Sequence, residues 1–230
     1  MLEKLKKEVC AANVALKENG LVVLTWGNVS AIDRESGLVV IKPSGMPYDE
    51  LTPENMVVVD LCGNVVEGEP KPSVDTPTHI HLYKKYENIG AVVHTHSTFA
   101  TAFAQAGQSI AALGTTHADA FYGDIPCTRI LTEAEVMGEY ESNTGKVIAE
   151  AIDDPEKMPA VLVKSHGAFT FGRSARSAVD IAVTLEETAK IAYLTKTIDP
   201  AAPRVPEYIL EKHYFRKHGE GAAYGQKDKE

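Results

Sequence analysis

Two histidines follow an apolar stretch near the middle of the sequence, and their spacing suits a metal site. Residues 91–93 are only alanine and valine, which predicts a buried β-strand. Because side chains alternate along a strand, His94 and His96 should point to the same side. A second apolar run, at residues 160–163, is followed closely by His166. Two strands that end in histidine could bring three imidazoles to one divalent cation; polar strand ends with locally hydrogen-bonded histidines are the alternative.

Two loops with glycine and small polar side chains could bind a ligand. Gly27 precedes Asn28, and a glycine beside an amide side chain lets a ligand approach the backbone closely. Lys42, Ser44 and Gly45 combine a cation, a hydroxyl and an open backbone N–H, which is typical of a phosphate-binding nest. Both loops could equally be ordinary turns.

Two aspartates and a further histidine could bind a metal or transfer protons. Asp75 stands just before a helix predicted from Thr76 to about Tyr86, so its carboxylate either caps that helix or faces the metal. Asp119 is a candidate general acid or base, and His117 is a weaker one. Both lie in a stretch of small polar residues, where a simple turn is the alternative.

The rest of the chain must provide the elements that position these residues. Apolar spacing predicts an amphipathic helix over residues 2–16 and a longer helix over residues 174–198. Residues 132–152 are also predicted to be mostly helical. A short strand is predicted at residues 21–24, and Trp26, the single tryptophan, is predicted to anchor the core after it.

Composition and charge limit the class of protein. The chain has 230 residues, enough for one large domain with a sizeable core. A formal net charge of -9 argues against nucleic acid as the main partner, since binding phosphates requires a basic surface. No apolar run approaches the length of a membrane span. Three cysteines without a CxxC pair are typical of reduced thiols in a cytoplasmic protein.

Several segments of the sequence form a joint pattern that is more specific than any one of them. They include TWGNVS, IKPSG, KPSVDTPTH, VVHTHS, GTTHADAF, SHGAF and KHYFRKHG. Together they resemble the class II aldolase/epimerase family, and within it the L-ribulose-5-phosphate 4-epimerases. The resemblance covers residues 1–226 as one domain and leaves residues 227–230 as a charged tail.

This resemblance implies a fold, an assembly and a reaction. The implied fold is α/β: a single three-layer α/β/α domain around a central, mainly antiparallel sheet. The implied assembly is a homotetramer with its sites at the subunit interfaces. The implied reaction is the reversible conversion of L-ribulose 5-phosphate to D-xylulose 5-phosphate, by retro-aldol cleavage between C3 and C4 and re-addition. Such a reaction belongs to cytoplasmic carbohydrate metabolism, for example arabinose catabolism.

The resemblance also implies roles for single residues. Zinc, or another divalent ion such as cobalt or manganese, would be bound by three histidines and a carboxylate: His94, His96, His166 and Asp75. Asp119 and Tyr224 would be the paired acid and base, with Tyr224 coming from the adjacent subunit. The phosphorylated pentulose would be bound by loop residues and by two residues near the C-terminus: Gly27, Asn28, Lys42, Ser44, Gly45, Ser73, Val74, His213 and Arg216.

Two positions bear on the choice of substrate and reaction. Val74 stands where many relatives have serine, so this phosphate contact would rest on the backbone and on Ser73. The alternative reaction is that of a fuculose-phosphate-type aldolase, which cleaves a ketose phosphate and releases the fragments. Such aldolases carry glutamate as the acid/base where this chain has Asp75. The shorter side chain is consistent with metal ligation rather than proton transfer, and this favours the epimerase.

Overall fold

A computed structural model describes residues 2–218 and residue 222. Within these residues, seven strands form one sheet in the order β4-β3-β2-β1-β5-β7-β6, and every neighbouring pair is antiparallel. The strands are β1 (Asn28–Asp33), β2 (Leu38–Ile41), β3 (Val57–Val59), β4 (Val65–Glu67), β5 (Ala91–Thr95), β6 (Ala160–Val163) and β7 (Gly167–Gly172). The predicted antiparallel central sheet is confirmed.

Helices connect these strands and cover the sheet. They are α1 (Glu3–Glu18), α2 (Thr76–Lys85), α3 (Thr98–Ala106), α4 (Thr115–Ala118), α5 (Glu133–Met137), α6 (Tyr140–Ala151), α7 (Ala175–Ile198) and α8 (Glu207–Phe215). The predicted long helix corresponds to α7, and the predicted first helix corresponds to α1. No helix in the described part of the chain is long and apolar enough to cross a membrane.

The two faces of the sheet build separate parts of the core, which gives the α/β/α layering. On one face, α1 and α7 pack against the sheet, and buried Val93 belongs to this cluster. On the other face, α2 and α6 pack together, and Val92 and Phe169 belong to the cluster there. Neighbouring residues of β5 thus serve opposite layers, as the alternation of side chains along a strand requires. The predicted three-layer fold is confirmed.

One local prediction was wrong. Residues 21–24 are not a strand, because Leu24 has a positive φ of 54° that cannot continue an extended chain. Val23 and Leu24 are exposed there, 57% and 75%. Residues 132–152 are mostly helical, as predicted, and form two helices that are separated at Gly138.

Candidate metal and substrate site

Three histidines converge at one edge of the sheet, as their positions after strands predict. His94 lies in β5, His96 follows the end of that strand, and His166 lies in the turn between β6 and β7. The ring centroids are 4.8 Å apart for His94 and His96, 4.8 Å for His94 and His166, and 5.1 Å for His96 and His166. One ligand nitrogen of each ring lies within 4.8 Å of the others.

His94 is held in a single orientation by its neighbours. Its ring stacks on Phe169, with centroids 4.3 Å apart and planes 17° apart. Its Nδ1 lies 3.0 Å from the carbonyl oxygen of Ala168, which can only accept a hydrogen bond. Nδ1 therefore carries the proton, and Nε2 keeps its lone pair. That Nε2 lies 3.0 Å from Nε2 of His96.

The turn that carries His166 is tightly constrained. Ser165 has a positive φ of 63°, which is unfavourable for a residue with a side chain. On the other side of His166, Gly167 has no room for a Cβ, because such an atom would lie 2.6 Å from the carbonyl oxygen of Thr95. The close approach of β7 to β5 at this point brings the His166 imidazole next to the other two rings.

The surroundings of His166 and His96 disfavour the protonated forms of these two imidazoles. Burial, together with the neighbouring His94 and His96, lowers the pKa of His166 to about 3. Burial and His94 also lower the pKa of His96. Neutral imidazoles with converging lone pairs are the donors that zinc and related divalent cations prefer. The three histidines therefore fit a divalent cation.

A cavity of about 650 Å³ opens beside the histidines. Its walls contain all the predicted loop residues together with Asp75: Gly27, Asn28, Lys42, Ser44, Gly45, Ser73 and Val74. Segments that are distant in sequence therefore share one pocket with the three imidazoles. A cavity of this size can hold a small phosphorylated sugar.

Two of the loops are joined by backbone hydrogen bonds. The N–H of Ser44 donates to the carbonyl of Lys71 at 2.9 Å, and the N–H of Ser73 donates to the carbonyl of Lys42 at 3.0 Å. Gly45 follows with a φ of +67°. The pair of loops brings hydroxyls, a glycine and a lysine to the same wall, which supports the predicted anion-binding nest.

Asp75 faces the cavity and has partners of its own. Asn28 Nδ2 donates to its carboxylate at 2.7 Å, and to Ser73 Oγ at 3.0 Å. Burial alone would raise the pKa of Asp75, but His94, His79 and the Asn28 hydrogen bond outweigh it and hold that pKa below its usual value. The carboxylate is therefore ionised at neutral pH. Its side chain caps no backbone N–H of α2, so the capping alternative does not apply.

Lys42 is a buried lysine in the wall of the cavity. Its side chain is 2% exposed, and its Nζ lies 4.9 Å from the centre of the Tyr48 ring and 3.3 Å from the carbonyl oxygen of Pro43. Burial lowers the pKa of Lys42 to about 8. A buried ammonium without a carboxylate contact in the described structure is well suited to meet an anionic ligand.

Asp119 lies in a second cluster and does not line the cavity. Its carboxylate accepts hydrogen bonds from His213 Nδ1 at 2.9 Å and from Arg216 at 3.0 Å, and Lys217 Nζ lies 3.1 Å away. Burial opposes ionisation, but these partners lower the pKa of Asp119 overall. His213 and Arg216, which were predicted to bind the substrate, therefore lie with Asp119 and not in the wall of the cavity. Tyr224 lies outside the described residues.

Five residues of the cavity wall were not among the predicted site residues: Thr25, Trp26, Pro43, Tyr140 and Glu141. Trp26 is 52% exposed, and its ring centroid lies 6.4 Å from that of His96, so the prediction of a core anchor was wrong. His117 was also misassigned, because it is buried and its Nε2 contacts the carbonyl oxygen of Gly123 at 2.7 Å. That contact gives His117 a structural role.

Comparison with known proteins gives a consistent result. The family model for the Class II Aldolase and Adducin N-terminal domain matches residues 7–193. The structure of an L-fuculose 1-phosphate aldolase is 30% identical, with a TM-score of 0.79 over 93% of this chain and 95% of that chain. The L-fuculose-1-phosphate aldolase from Thermus thermophilus is 25% identical, with a TM-score of 0.68 over 88% and 99%. YgbL from Klebsiella pneumoniae shares the fold at 22% identity, with a TM-score of 0.73 over 92% and 99%.

Proposed function

This chain belongs to the class II aldolase family, and from that premise we propose that it is a metal-dependent 4-epimerase of pentulose phosphates. The proposed reaction interconverts L-ribulose 5-phosphate and D-xylulose 5-phosphate. The bond between C3 and C4 breaks after removal of the C4 hydroxyl proton, the aldehyde fragment rotates, and the bond forms again on its other face. Such a reaction needs one group to take a proton and another to return it.

The three histidines would hold the cation, with Asp75 beside them. A divalent cation bound there supplies Lewis-acid polarisation of a carbonyl oxygen; zinc is the proposed ion. The protein contributes rigid ligands, since His94 is fixed by Phe169 and by the Ala168 carbonyl. Ligands fixed before binding lose little conformational entropy when the ion binds.

The phosphate of the substrate would be bound at the opposite wall of the cavity. Lys42 supplies positive charge, and Ser44, Gly45 and Ser73 supply hydroxyl and backbone donors. Asn28 extends from β1 between this wall and Asp75, donating to both Ser73 and Asp75. A substrate whose phosphate lies at the loops therefore has its carbon chain directed toward the histidines.

The observation that carries the choice of epimerase is the short, anchored side chain of Asp75. Its carboxylate accepts a hydrogen bond from Asn28 at 2.7 Å and lies beside the histidines in the wall of the cavity. An aspartate reaches one methylene less far than the glutamate of an aldolase, so it suits the metal side of the site better than proton exchange with a substrate. The protons would then be exchanged by other groups, and we assign that role to Asp119 and Tyr224.

These two residues lead to a proposal about assembly. Asp119 does not line the histidine cavity of its own chain, so its cluster would serve the cavity of a neighbouring copy. A homotetramer with sites at its subunit interfaces meets this need. Free Cys10, Cys62 and Cys127 support a cytoplasmic location for that assembly.

The test is an assay of the zinc-loaded protein with L-ribulose 5-phosphate. We expect D-xylulose 5-phosphate to form without accumulation of glycolaldehyde phosphate, and we expect Asp119→Asn to remove most turnover while the metal content stays at the level of the unmodified protein. Stoichiometric release of the aldehyde would instead identify an aldolase. Full turnover after exhaustive chelation would exclude the metal-dependent reaction.

The alternative function is a fuculose-phosphate-type aldolase, and a specific observation favours it. The structure matched at 30% identity over 93% of this chain carries that name. The same cavity, histidines and anion-binding loops would serve it equally. Incubation with L-fuculose 1-phosphate separates the two, because an aldolase releases the phosphorylated ketone and a free aldehyde.

A further inference from the structure

Tyr140 contacts one of the three histidines from the side of the cavity. It is the first residue of α6, and its ring lies nearly parallel to that of His166, with centroids 6.0 Å apart and planes 24° apart. Its hydroxyl oxygen lies 3.2 Å from Nδ1 of His166. The side chain is half-buried and lines the cavity. This contact engages one nitrogen of the His166 ring and leaves the other, Nε2, available for a cation.

The position of Tyr140 is fixed by the way in which α6 packs. Thr78 of α2 donates a hydrogen bond to the carbonyl of Glu141 at 2.6 Å. One turn further on, Gly145 lies so close to α2 that an added Cβ would be 2.6 Å from Cβ of His81. Two helices packed this closely leave the first turn of α6 little freedom, so the Tyr140 hydroxyl is held at His166 by the fold.

The contact matters because a histidine has two tautomers. Only an imidazole nitrogen without a proton can bind a cation, and the partner of the other nitrogen decides which tautomer is present. For His94 the partner is a carbonyl oxygen, which can only accept, so its tautomer is already set. The hydroxyl of Tyr140 can either accept or donate a hydrogen bond. Only when it accepts the Nδ1–H of His166 does that ring have the tautomer in which Nε2 can bind a cation.

We propose that Tyr140 is a positioning residue for the metal site: its hydroxyl oxygen accepts the Nδ1–H of His166 and keeps Nε2 of that ring unprotonated toward the cation. The proposal rests on the proposed metal-dependent function. It adds a residue that the resemblance did not assign, and it explains why an aromatic side chain with a hydroxyl stands at the start of α6. The ring supplies the stacking, and the oxygen supplies the hydrogen bond.

The test is the affinity for zinc of Tyr140→Phe, measured by competition with a chromophoric chelator and without any sugar. The phenylalanine keeps the ring and removes only the oxygen, so we expect a dissociation constant about 10- to 100-fold higher, as is usual when the partner of a metal-binding histidine is lost. Tyr208→Phe is the matched control, since Tyr208 is 73% exposed on α8. Its affinity should equal that of the unmodified protein.

A zinc affinity of Tyr140→Phe within about twofold of the control would overturn the proposal, since loss of such a partner ordinarily costs more. A second measurement does not depend on a variant: in the zinc-loaded unmodified protein, the nitrogen NMR spectrum of His166 should show a proton on Nδ1 that exchanges slowly with solvent. A proton on Nε2 would refute the assignment even if Tyr140→Phe failed to fold. Absence of epimerase turnover would count against the proposed reaction and leave both of these results intact.

Discussion

Replacing Lys42 with methionine should stabilise the folded protein and weaken its binding of phosphorylated substrate. Lys42 is 2% exposed and its ammonium faces a tyrosine ring and one carbonyl oxygen. A charged amine in such surroundings loses most of its hydration without gaining an ion pair in the described structure. Methionine has a similar length and no charge, so it removes that penalty and fills nearly the same space.

The size of the effect follows from the pKa of Lys42, which burial lowers from 10.5 to about 8. A lowered pKa means that the protonated form of Lys42 is destabilised in the folded protein. The penalty is therefore complete below about pH 8 and disappears above pH 10.5, the pKa of this lysine in the unfolded chain. Each pKa unit corresponds to about 1.4 kcal/mol, so the penalty reaches roughly 3 kcal/mol at pH 7. At pH 9.5 about 1.4 kcal/mol of it remains by the same relation.

The assay is denaturant unfolding of Lys42→Met and of the unmodified protein at pH 7 and pH 9.5 in phosphate-free buffer. We expect the difference in unfolding free energy to shrink by about 2 kcal/mol between the two pH values. Lys71→Met is the control for the loss of a lysine from an exposed position, because Lys71 is exposed on the neighbouring loop. An advantage of Lys42→Met that is equal at both pH values, or larger at pH 9.5, would refute this reasoning.

Three further perturbations test the support of the site. Gly27→Ala should lose roughly 2–3 kcal/mol of stability, because the new Cβ would lie 2.8 Å from the carbonyl oxygen of His94 at a φ of +81°. Gly20→Ala is the control, since Gly20 has a similar φ of +69° but open space around it. Thermal unfolding should show a loss of only about 1 kcal/mol for this control. Glu186→Gln should lower stability by about 1–2 kcal/mol, because the Glu186 carboxylate accepts hydrogen bonds from backbone N–H groups in the first turn of α3 at 2.8 and 2.9 Å. Glu187→Gln, at an exposed position of the same helix, should have little effect. Removal of the metal by chelation should abolish turnover. Addition of Co²⁺ to the metal-free protein should then quench the fluorescence of Trp26, whose ring centroid lies 6.4 Å from that of His96. Unchanged fluorescence at saturating Co²⁺ would place the ion elsewhere.

The part of the site that follows strand geometry could be predicted from the sequence. His94, His96 and His166 come at the ends of short apolar runs, and the β-branched valines of those runs favour strands. Once two strands end at the same edge of a sheet, their terminal side chains meet. The loop residues were found by a different route, because glycine and small polar residues in a row indicate close approach to a ligand, and the joint pattern indicated the family.

The sequence was less informative where tertiary packing decides the outcome. Tyr140 begins a helix in a segment that was predicted to be mostly helical, and its contact with His166 depends on how α6 packs against α2. Trp26 was predicted to be buried because of its residue type, yet the positive φ at Leu24 turns the chain outward before it. The assignment of residues 1–226 as one domain and the role of Tyr224 stay predictions, because the structure describes residues 2–218 and 222.

Three energetically costly features of this molecule lie at or beside the cavity. Lys42 is a buried ammonium, Ser165 has a left-handed backbone beside a histidine, and Asn28 Oδ1 is buried without a hydrogen-bond partner among the described residues. Each of these features costs about 1–3 kcal/mol in an ordinary protein interior. A fold selected only for stability would have replaced them, since substitutions that increase stability are readily available. Their presence at one pocket indicates that they are retained for a ligand, and an anion beside Lys42 together with a cation at the histidines would offset the largest of these penalties.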